Sequence, residues 1–404
     1  MLKLAWRNIW RNKRRSFITM GMIMLAVVLS VFMRSMQLGT YDKMIDGMVR
    51  YTTGYIKIQS QGYQDEPSID NSFQANDTLF NELKAIKGIS SVTPRLETFA
   101  LGSSHDNTKG LSVIGIVPEE EDALIGLSDR LQEGELINSE GDGVLIASGV
   151  AKTMKLGVGD TLVLLGSGYH GQTAAGKYPV RGVIKISNPQ LGKRLIYLPL
   201  KKAQFLFGVD EGLSSYTLNI DDLGDLPRMK EKVLAVTNLK RYEVFTWEEL
   251  LPELVQTIKA DSSGGVIFIF ILYMVITFGI FGTVLMLTAE RTYEFGVLIS
   301  IGMKRLQLGF MMVMETVIMS LLGVFFGLIL SFPFVYVMHL NPVPLEGQAG
   351  ESMIEMGLEP QIFMALDFGI AMNQAIIVFA IAVLLSIYPF VKQLFLQPVK
   401  AMRK

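Results

Sequence analysis

The chain contains one segment with the spacing of a phosphate-binding loop. Gly171-Gln-Thr-Ala-Ala-Gly-Lys177 fits the start of that motif, in which backbone amides and a lysine cradle phosphate oxygens. The next position is Tyr178, so the hydroxyl group that would bind magnesium is missing. The motif also needs a helix after the loop, whereas Tyr178-Pro179 leads into an extended run. We therefore interpret this segment as the flexible tip of a β-hairpin and not as a nucleotide site.

Other residue types that support catalysis or metal binding are scarce. The sequence has no cysteine, which excludes disulfides, thiolate metal sites and thiol nucleophiles. His105, His170 and His339 are isolated from one another and show no ligand spacing. No pair of residues has the spacing of a catalytic dyad. We predict that the chain has no catalytic residue, no metal site and no cofactor of its own.

Glu315 is an ionisable residue inside a long apolar stretch, about two helical turns from its start. Such a residue in a membrane span is a candidate functional group. It is also close enough to the start of the stretch to pair with an Arg or Lys of the amino-terminal segment, and the sequence leaves both interpretations open. Gly323 and Gly327 follow in a Gly-x-x-x-Gly pattern, which favours close helix packing within the chain over a dimer seam.

These residues belong to one of four apolar stretches. The chain has 404 residues, of which 50% are hydrophobic and only 19% charged, a composition too apolar for an ordinary soluble protein. A membrane helix needs roughly 20 residues, and we predict four of them, at 16–36, 266–289, 308–338 and 370–391. The alternative for the first is a cleaved signal peptide, but a small-x-small cleavage signature is missing after it.

The charge distribution predicts the topology. Residues 1–36 hold seven Lys or Arg and no acid, whereas residues 37–262 hold 23 bases and 30 acids. The loop 339–368 has five acids and no base, and the tail 392–404 is basic. By the positive-inside rule, both ends of the chain and the segment 290–307 are cytoplasmic, and the large region between the first two spans is outside. The acidic character of that region argues against nucleic acid as a partner.

The amino-terminal segment 1–15 is predicted to be an amphipathic helix on the cytoplasmic membrane surface. Its apolar side would carry Leu2, Ala5 and Ile9 with Trp6 or Trp10, and its other sides carry bases.

Residues 37–262 are predicted to form a mixed α/β domain with helical stalks that continue the flanking spans. Short apolar or alternating runs between turn residues indicate strands. Helical spacing predicts a helix from Asp77, taken as the N-cap, to Lys87, and a second from Asp225 to Val236. The predicted strands begin at Tyr55, Leu111, Gly143, Thr161 and Tyr178.

The short segment 290–307 lies between the second and third spans, and most of its middle is apolar. If helical, it could lie in the headgroup plane or dock into a groove on a partner protein. Its residues Glu290-Arg291, Glu294-Phe-Gly-Val-Leu298 and Ile301-Gly-Met-Lys304 resemble a segment of the FtsX-like permeases, which are subunits of type VII ABC transporters. Ser300 departs from that segment, in which an Arg-Ala pair is frequent.

The resemblance extends along essentially the whole chain through shorter matches in the same order. These are Arg7-Asn8 with Arg11, Lys13 and Arg15, then Gly88–Arg95, Gly115–Glu119, Gly157–Asp160, Thr246–Pro252, Glu315, Gly323 and Gln397–Arg403.

The resemblance implies that 290–307 is a coupling helix seated in an ATPase subunit. ATP and Mg would be bound by two copies of that ATPase, and a second permease subunit would complete a homodimer or heterodimer in the bacterial inner membrane. A periplasmic acceptor or adaptor and membrane lipid are further implied partners. The residues that this resemblance assigns to coupling are Glu290, Arg291, Glu294, Gly296, Val297, Leu298, Ile301, Gly302, Met303 and Lys304.

The resemblance leaves three functions open. Chain length and the single large insertion resemble the lipoprotein-releasing LolC and LolE type, which we favour. The same layout fits MacB-type exporters of peptides or drugs, although those carry a fused ATPase. An FtsX-type signalling scaffold without transport is the third. Because two segments should reach the outer leaflet, the candidate cargo-facing residues are Phe32, Met33, Met36, Ile267, Phe268 and Ile271.

Overall fold

The structure is a computed structural model of the chain, and it describes residues 2–11, 13–104, 107–186, 188–355 and 359–397. His105 and the tail residues Lys400, Arg403 and Lys404 lie outside the described residues, as does most of the Gln397–Arg403 match.

The α-helices of the described residues are numbered in chain order. They are α1 (Leu2–Arg11), α2 (Lys13–Thr52), α3 (Asp77–Lys84), α4 (Pro118–Ile125), α5 (Ser148–Met154), α6 (Pro189–Gly192), α7 (Leu200–Phe207), α8 (Leu226–Val236), α9 (Trp247–Leu250), α10 (Pro252–Glu290), α11 (Thr292–Ser300), α12 (Arg305–Leu340), α13 (Gly347–Glu355), α14 (Phe368–Leu385) and α15 (Ile387–Leu394).

The strands of the described residues are mostly short. They are β1 (Ile56–Ser60), β2 (Phe73–Gln74), β3 (Ile89–Ser104), β4 (Asn107–Ile116), β5 (Leu131–Gly134), β6 (Val144–Ala147), β7 (Thr161–Ser167), β8 (Thr173–Ile184), β9 (Leu195–Pro199), β10 (Gly212–Leu213), β11 (Ser215–Ile220), β12 (Tyr242–Thr246), β13 (Val343–Pro344) and β14 (Gln361–Ile362). Short 3-10 turns occur at Ile69–Asn71, Ser128–Arg130, Tyr169–Gly171 and Leu223–Asp225.

The chain divides into two compact units. The helical unit contains Met1–Asp42, Ile258–Val343 and Gln361–Lys404, and the sheet unit contains Lys43–Thr257 and Pro344–Pro360. Helices α2 and α10 each have residues in both units.

Among the described residues, four helical stretches are long and apolar enough to cross a membrane: Ser16–Thr52, Pro252–Glu290, Arg305–Leu340 and Phe368–Leu394. This confirms the predicted four-span architecture with a large α/β domain inserted between the first and second spans. Branched side chains of α2, α10, α12 and α14 form one apolar cluster among these helices, which includes Ile23, Val27, Ile280, Val335 and Val378.

Helices α2 and α12 approach each other closely through the predicted glycine face. A Cβ atom placed on Gly323 would lie 2.9 Å from the Cβ of Ile23, and one placed on Gly327 would lie 2.8 Å from the Cβ of Val27. Real Cβ atoms do not come so close, so the two glycines permit this packing. The Gly-x-x-x-Gly pattern therefore packs within the chain, as the sequence predicted.

Helix α1 has the predicted amphipathic character. Ala5 and Ile9 are buried, while Trp6 and Trp10 are both nearly half exposed. Ile9 contacts Met319 of α12 in a small apolar cluster. The apolar side of α1 therefore packs against a spanning helix of the same chain.

The fourth span is broken into two helices at Ser386 instead of forming the single helix predicted over 370–391. Pro389 explains the break, because a proline has no N–H to donate and its ring conflicts with the carbonyl group four residues earlier, that of Leu385. Ser386 also donates its hydroxyl hydrogen to the carbonyl oxygen of Val383, at 2.6 Å.

The sheet unit is built on a ten-stranded mixed sheet in the order β12-β1-β11-β3-β4-β9-β6-β8-β5, with β7 paired to β3 and β8. The β4–β9 and β6–β8 pairs are parallel. Its core is formed by inward-facing aliphatic residues such as Leu96, Leu111, Leu145, Ile196 and Leu198. All five predicted strands coincide with strands of this sheet.

Two local predictions in the sheet unit differ in outcome. The segment that resembled a phosphate-binding loop lies at the turn and start of the β7–β8 hairpin, as predicted. The predicted N-cap Asp77 is wrong: Asn76 precedes α3 and its Oδ1 accepts a hydrogen bond from the backbone N–H of Leu79, at 3.1 Å. Asn in extended geometry is as good a cap as Asp, which explains the one-residue error.

The loop predicted over 339–368 has internal structure. It contains α13, and the N–H of Leu345 donates to the carbonyl oxygen of Pro360 at 2.8 Å, which closes the loop at its base.

The close approach of α2 and α12 can be tested with a single methyl group. Gly323→Ala should destabilise the helical unit by about 1–3 kcal/mol, because the new Cβ would overlap Ile23 and the carbonyl oxygen of Met20. Gly21→Ala is the matched control, since nothing lies within 4 Å of a Cβ at that position, and it should be neutral or slightly stabilising. Denaturant unfolding of the purified protein in detergent micelles measures both. Equal stability of the two variants would contradict the packing.

Candidate functional site

The segment between α10 and α12 forms a short helix held between two sharp turns. Helix α10 ends at Glu290, α11 runs from Thr292 to Ser300, and α12 starts after Lys304. Gly302 has φ 107°, a conformation that side chains disfavour. The glycine in the Ile301-Gly-Met-Lys304 segment is therefore required for the turn itself.

A buried ion pair lies at the start of this short helix. Nη1 of Arg291 lies 2.7 and 2.6 Å from the two carboxylate oxygens of Glu315 on α12. Both side chains are nearly inaccessible, with 3% and 4% of their surface exposed. Asn8 of α1 donates from Nδ2 to the same carboxylate at 3.2 Å. Three separate segments of the helical unit therefore meet at Glu315.

This arrangement corrects the predicted partner of Glu315. The sequence suggested an Arg or Lys of the amino-terminal helix, but α1 supplies a neutral amide and the charge comes from Arg291. Arg291 is therefore not one of the exposed coupling residues, because its guanidinium faces the interior of the helical unit.

Helix α11 is also held by an apolar anchor. Phe295 is 1% exposed and packs with Leu308, Met311 and Met312 of α12. Leu298 and Met303, two of the predicted coupling residues, are half-buried beside this cluster. The side chains of Leu298 and Met303 are therefore partly covered by apolar residues of the same chain.

The remaining predicted coupling residues divide by exposure. Gly296 is buried and Val297 is half-buried. The others are exposed: Glu290, Glu294, Ile301, Gly302 and Lys304. Ile301 stands out, because 79% of a large aliphatic side chain is exposed at the end of α11.

Glu294 links the exposed side of α11 to α1. Its Oε2 lies 2.5 Å from Nη2 of Arg11, and both side chains remain about half exposed. An exposed pair of this kind contributes little free energy, so it orients the two helices without fixing them.

The structure does not bring the candidate cargo-facing residues together as one surface. Phe32 and Met36 of α2 pack against the apolar cluster of the helical unit, and Met33 is half-buried. The residues of α10 are exposed, Ile267 by 61%, Phe268 by 67% and Ile271 by 44%.

Sequence reasoning missed a polar chain between α2 and α10 in the helical unit. The hydroxyl of Tyr41 donates to Asp261 at 2.6 Å, Gln37 donates to Tyr41 at 3.0 Å, and Arg34 donates to Gln37 at 2.7 Å. The i, i+3 and i, i+4 spacing of Arg34, Gln37 and Tyr41 on one helix was a visible signal. The partner Asp261 was not, because it is distant in sequence. Among the described residues, no group of three His, Asp or Glu is placed to hold a metal ion.

A helical unit with four spans, an α/β unit inserted after the first, and a short anchored helix between the second and third define a class of polytopic membrane protein. Residues 266–398 match the family model described as FtsX-like permease C-terminal. The carboxyl-terminal part of the chain is therefore similar to the FtsX-like permeases.

One curated relative shares much of the length. The lipoprotein-releasing system transmembrane protein LolC of Neisseria meningitidis serogroup B (strain ATCC BAA-335 / MC58) is 23% identical over 310 residues, which cover 72% of this chain and 71% of that protein.

Two solved structures show distant similarity. The extracellular domain of the noncanonic ABC-type transporter YknZ from Gram-positive bacteria is 17% identical, covers 47% of this chain and 99% of that chain, and has a TM-score of 0.35. The periplasmic region of MacB from Actinobacillus actinomycetemcomitans is 18% identical, covers 53% of this chain and 95% of that chain, and has a TM-score of 0.36.

The buried ion pair can be tested by comparing the loss of one charge with the loss of both. Glu315→Leu alone leaves a buried guanidinium without its counter-charge, which should reduce the free energy of unfolding by about 3–5 kcal/mol. Arg291→Met with Glu315→Leu should recover most of that loss, since Nε and Nη2 of Arg291 have no hydrogen-bond partner among the described residues even in the native protein.

The control for this comparison is Arg11→Ala, which breaks the exposed pair with Glu294 and should change the unfolding free energy by less than about 1 kcal/mol. Unfolding in detergent micelles gives all four values. Full stability of the Glu315→Leu single variant would show that the pair does not hold the turn.

Proposed function

We propose that this chain is the permease subunit of an ATP-driven complex in which a separate ATPase subunit binds α11 from the cytoplasmic side. One observation carries the proposal: α11 is fixed to the spanning helices by Arg291 and Phe295, yet it presents Ile301 unprotected. An exposed aliphatic side chain on a firmly held helix is typical of a helix that docks into a groove of a partner.

ATP and Mg would be bound by two copies of that ATPase, and this chain would do mechanical work only. Movement of α11 would be passed to the spanning helices, of which α2 is continuous over 40 residues from Lys13 to Thr52. Both termini would be cytoplasmic and the sheet unit would lie outside the inner membrane of a bacterium.

A second permease subunit, identical or different, would cover α10. Only 6% of the residues in its most apolar stretch are buried, against 28–39% in the other three spans. The exposed row includes Phe268, Phe270, Val275 and Phe278. Another permease subunit and bilayer lipid would share this face.

The cargo that we favour is a membrane-anchored lipoprotein, which would be released from the outer face of the inner membrane to a periplasmic acceptor. Similarity to a lipoprotein-releasing protein over most of the chain supports this choice. So does the apolar side of α10, where Ile267, Phe268 and Ile271 could contact acyl chains. Phe32 and Met36 are less suited to this role because they pack inside the helical unit.

Ile301→Asp tests docking of α11. The substitution puts a charge on an exposed side chain that the chain's own core does not use, so it should abolish co-purification of the ATPase with the tagged permease while leaving expression unchanged. Pull-down from native membranes, followed by measurement of ATP hydrolysis in the eluate, gives the result. Ile301 is a sharper target than Leu298, whose substitution would also disturb the Phe295 cluster.

Phe395→Asp is the matched control, since Phe395 is a large apolar residue with 78% exposure just after α15. It should retain the ATPase. Normal ATPase association of the Ile301→Asp variant would refute the docking assignment.

Depletion of the protein tests the cargo. We expect lipoproteins to accumulate in the inner membrane, as measured by membrane fractionation and labelling of their acyl groups. Sensitivity to drugs or peptides with correctly placed lipoproteins would instead indicate efflux, and division or cell-wall defects with both functions intact would indicate signalling. Either of these results would reject lipoprotein release.

A further inference from the structure

The carboxyl end of α2 lies inside the sheet unit and is closed in two ways. Gly54 has φ 61° and donates its N–H to the carbonyl oxygen of Val49 at 2.7 Å, which ends the helix. The three carbonyl groups after Val49, those of Arg50, Tyr51 and Thr52, have no following helical turn to donate to them. Unpaired carbonyls of this kind are unfavourable when they are buried.

Arg95 of β3 satisfies all three carbonyl groups. Its Nη1 lies 3.4 Å from the carbonyl oxygen of Tyr51 and 3.2 Å from that of Thr52, and its Nη2 lies 3.2 Å from that of Arg50. The side chain is completely buried. A cation at this end of a helix is also favoured by the helix dipole.

The other side of the guanidinium faces Glu121 on α4. Nε donates to Oε2 at 3.1 Å and Nη2 donates to Oε1 at 2.5 Å. Glu121 is fully buried as well. A guanidinium has five N–H donors, and in this site each has one acceptor. Lysine, with three donors and no planar fork, could not replace it.

The charge of Arg95 is maintained in this buried place. Burial alone would lower the pKa of the guanidinium, but the adjacent Glu121 carboxylate raises that pKa above its ordinary value. The residue therefore holds the helix end through charge-assisted hydrogen bonds, which are stronger than neutral ones.

We propose that Arg95 is the positioning residue that fixes the end of the first long helix to the sheet, so that movement of α2 is passed to the sheet unit instead of being lost by fraying of the last turn. This inference rests on the proposed ATP-driven function. It assigns the transmission step to a residue that touches neither the ATPase, nor the cargo, nor the membrane.

The backbone of Arg95 is suited to this role because it is fixed from both sides. In the sheet, Arg95 is paired with Ile116 of β4 and with Ser215 of β11. Its carbonyl oxygen accepts the N–H of Ser214 at 2.9 Å and the hydroxyl of the same residue at 3.0 Å. A residue in the interior of a wide sheet is a rigid attachment point for a helix end.

The test is hydrogen exchange, followed by mass spectrometry, on the tagged permease with its co-purified ATPase in lipid nanodiscs, with and without ATP and vanadate. The variant Arg95→Met with Glu121→Leu removes both buried charges at similar volume, which a folded protein tolerates better than the loss of one. Arg95→Lys serves as a second variant that keeps the charge but offers fewer donors. ATP hydrolysis is measured on the same samples.

We expect the wild type to show an ATP-dependent change of exchange in the sheet unit. In both variants, protection of the amides of residues 46–54 should fall by about tenfold or more, because the last turn of α2 loses hydrogen bonds. The ATP-dependent change in the sheet unit should be lost, whereas ATP hydrolysis should continue. If Arg95 served only the stability of the protein, the ATP-dependent change of exchange would not be lost while ATP hydrolysis continued.

The control is Lys57→Met with Glu97→Gln. It removes a neighbouring, partly buried pair, whose Nζ and Oε2 lie 2.6 Å apart. Oε1 of Glu97 also lies 4.0 Å from Nη1 of Arg95, so this control removes a nearby charge but keeps the hydrogen bonds of Arg95 to Glu121 and to the carbonyl groups of α2. It should retain the ATP-dependent change. If the Arg95 variants also retain that change, the inference is refuted while the proposed function stands. If the wild type itself shows no ATP-dependent change, the proposed function fails and the inference fails with it.

Discussion

The helical unit depends on one compensated charge inside an apolar environment. Arg291 and Glu315 are each almost completely buried, and either charge alone would be very unfavourable there. Their mutual contact therefore determines where α11 can begin relative to α12, and Asn8 ties α1 to the same point. Phe295 then determines which side of α11 faces inward. Ile301 directly follows the last residue of α11, and its side chain remains 79% exposed there.

Arg95 and Glu121 repeat the same physical solution in the sheet unit. In each pair, an arginine next to a helix end meets a glutamate from a different element. The two pairs differ in how completely they are satisfied. Every donor of Arg95 has an acceptor, whereas Nε and Nη2 of Arg291 have none among the described residues. A fully satisfied buried network makes its surroundings rigid and specifies a unique arrangement.

The sequence was sufficient for the architecture because hydropathy and charge act over whole segments. Span number, the inserted α/β domain, the strands at Leu111 and Thr161, and the packing face at Gly323 all follow from such patterns. The partners of ion pairs could not be predicted from such patterns, because Glu315 has several basic residues within reach and only the fold determines which one it meets. The helix break at Ser386 could have been predicted from the sequence, because Pro389 follows it. The role of Arg95 was not, since nothing local indicates that its guanidinium meets a helix end more than forty residues earlier.

Helices α2 and α10 both have residues in the two units, but they differ in how much of their apolar stretch is buried. Helix α2 has 39% of the residues in its most apolar stretch buried, and its carboxyl end is held by Arg95. Helix α10 is almost uncovered in its apolar stretch, and the segment just before it is held by a capping box between Thr246 and Glu249. A helix packed on several neighbours can move only together with them, because close-packed interiors transmit displacement. A helix with an open face can instead change neighbours. In the proposed ATP-driven function, α2 would therefore pass movement to its own sheet unit, and the open face of α10 would meet other molecules.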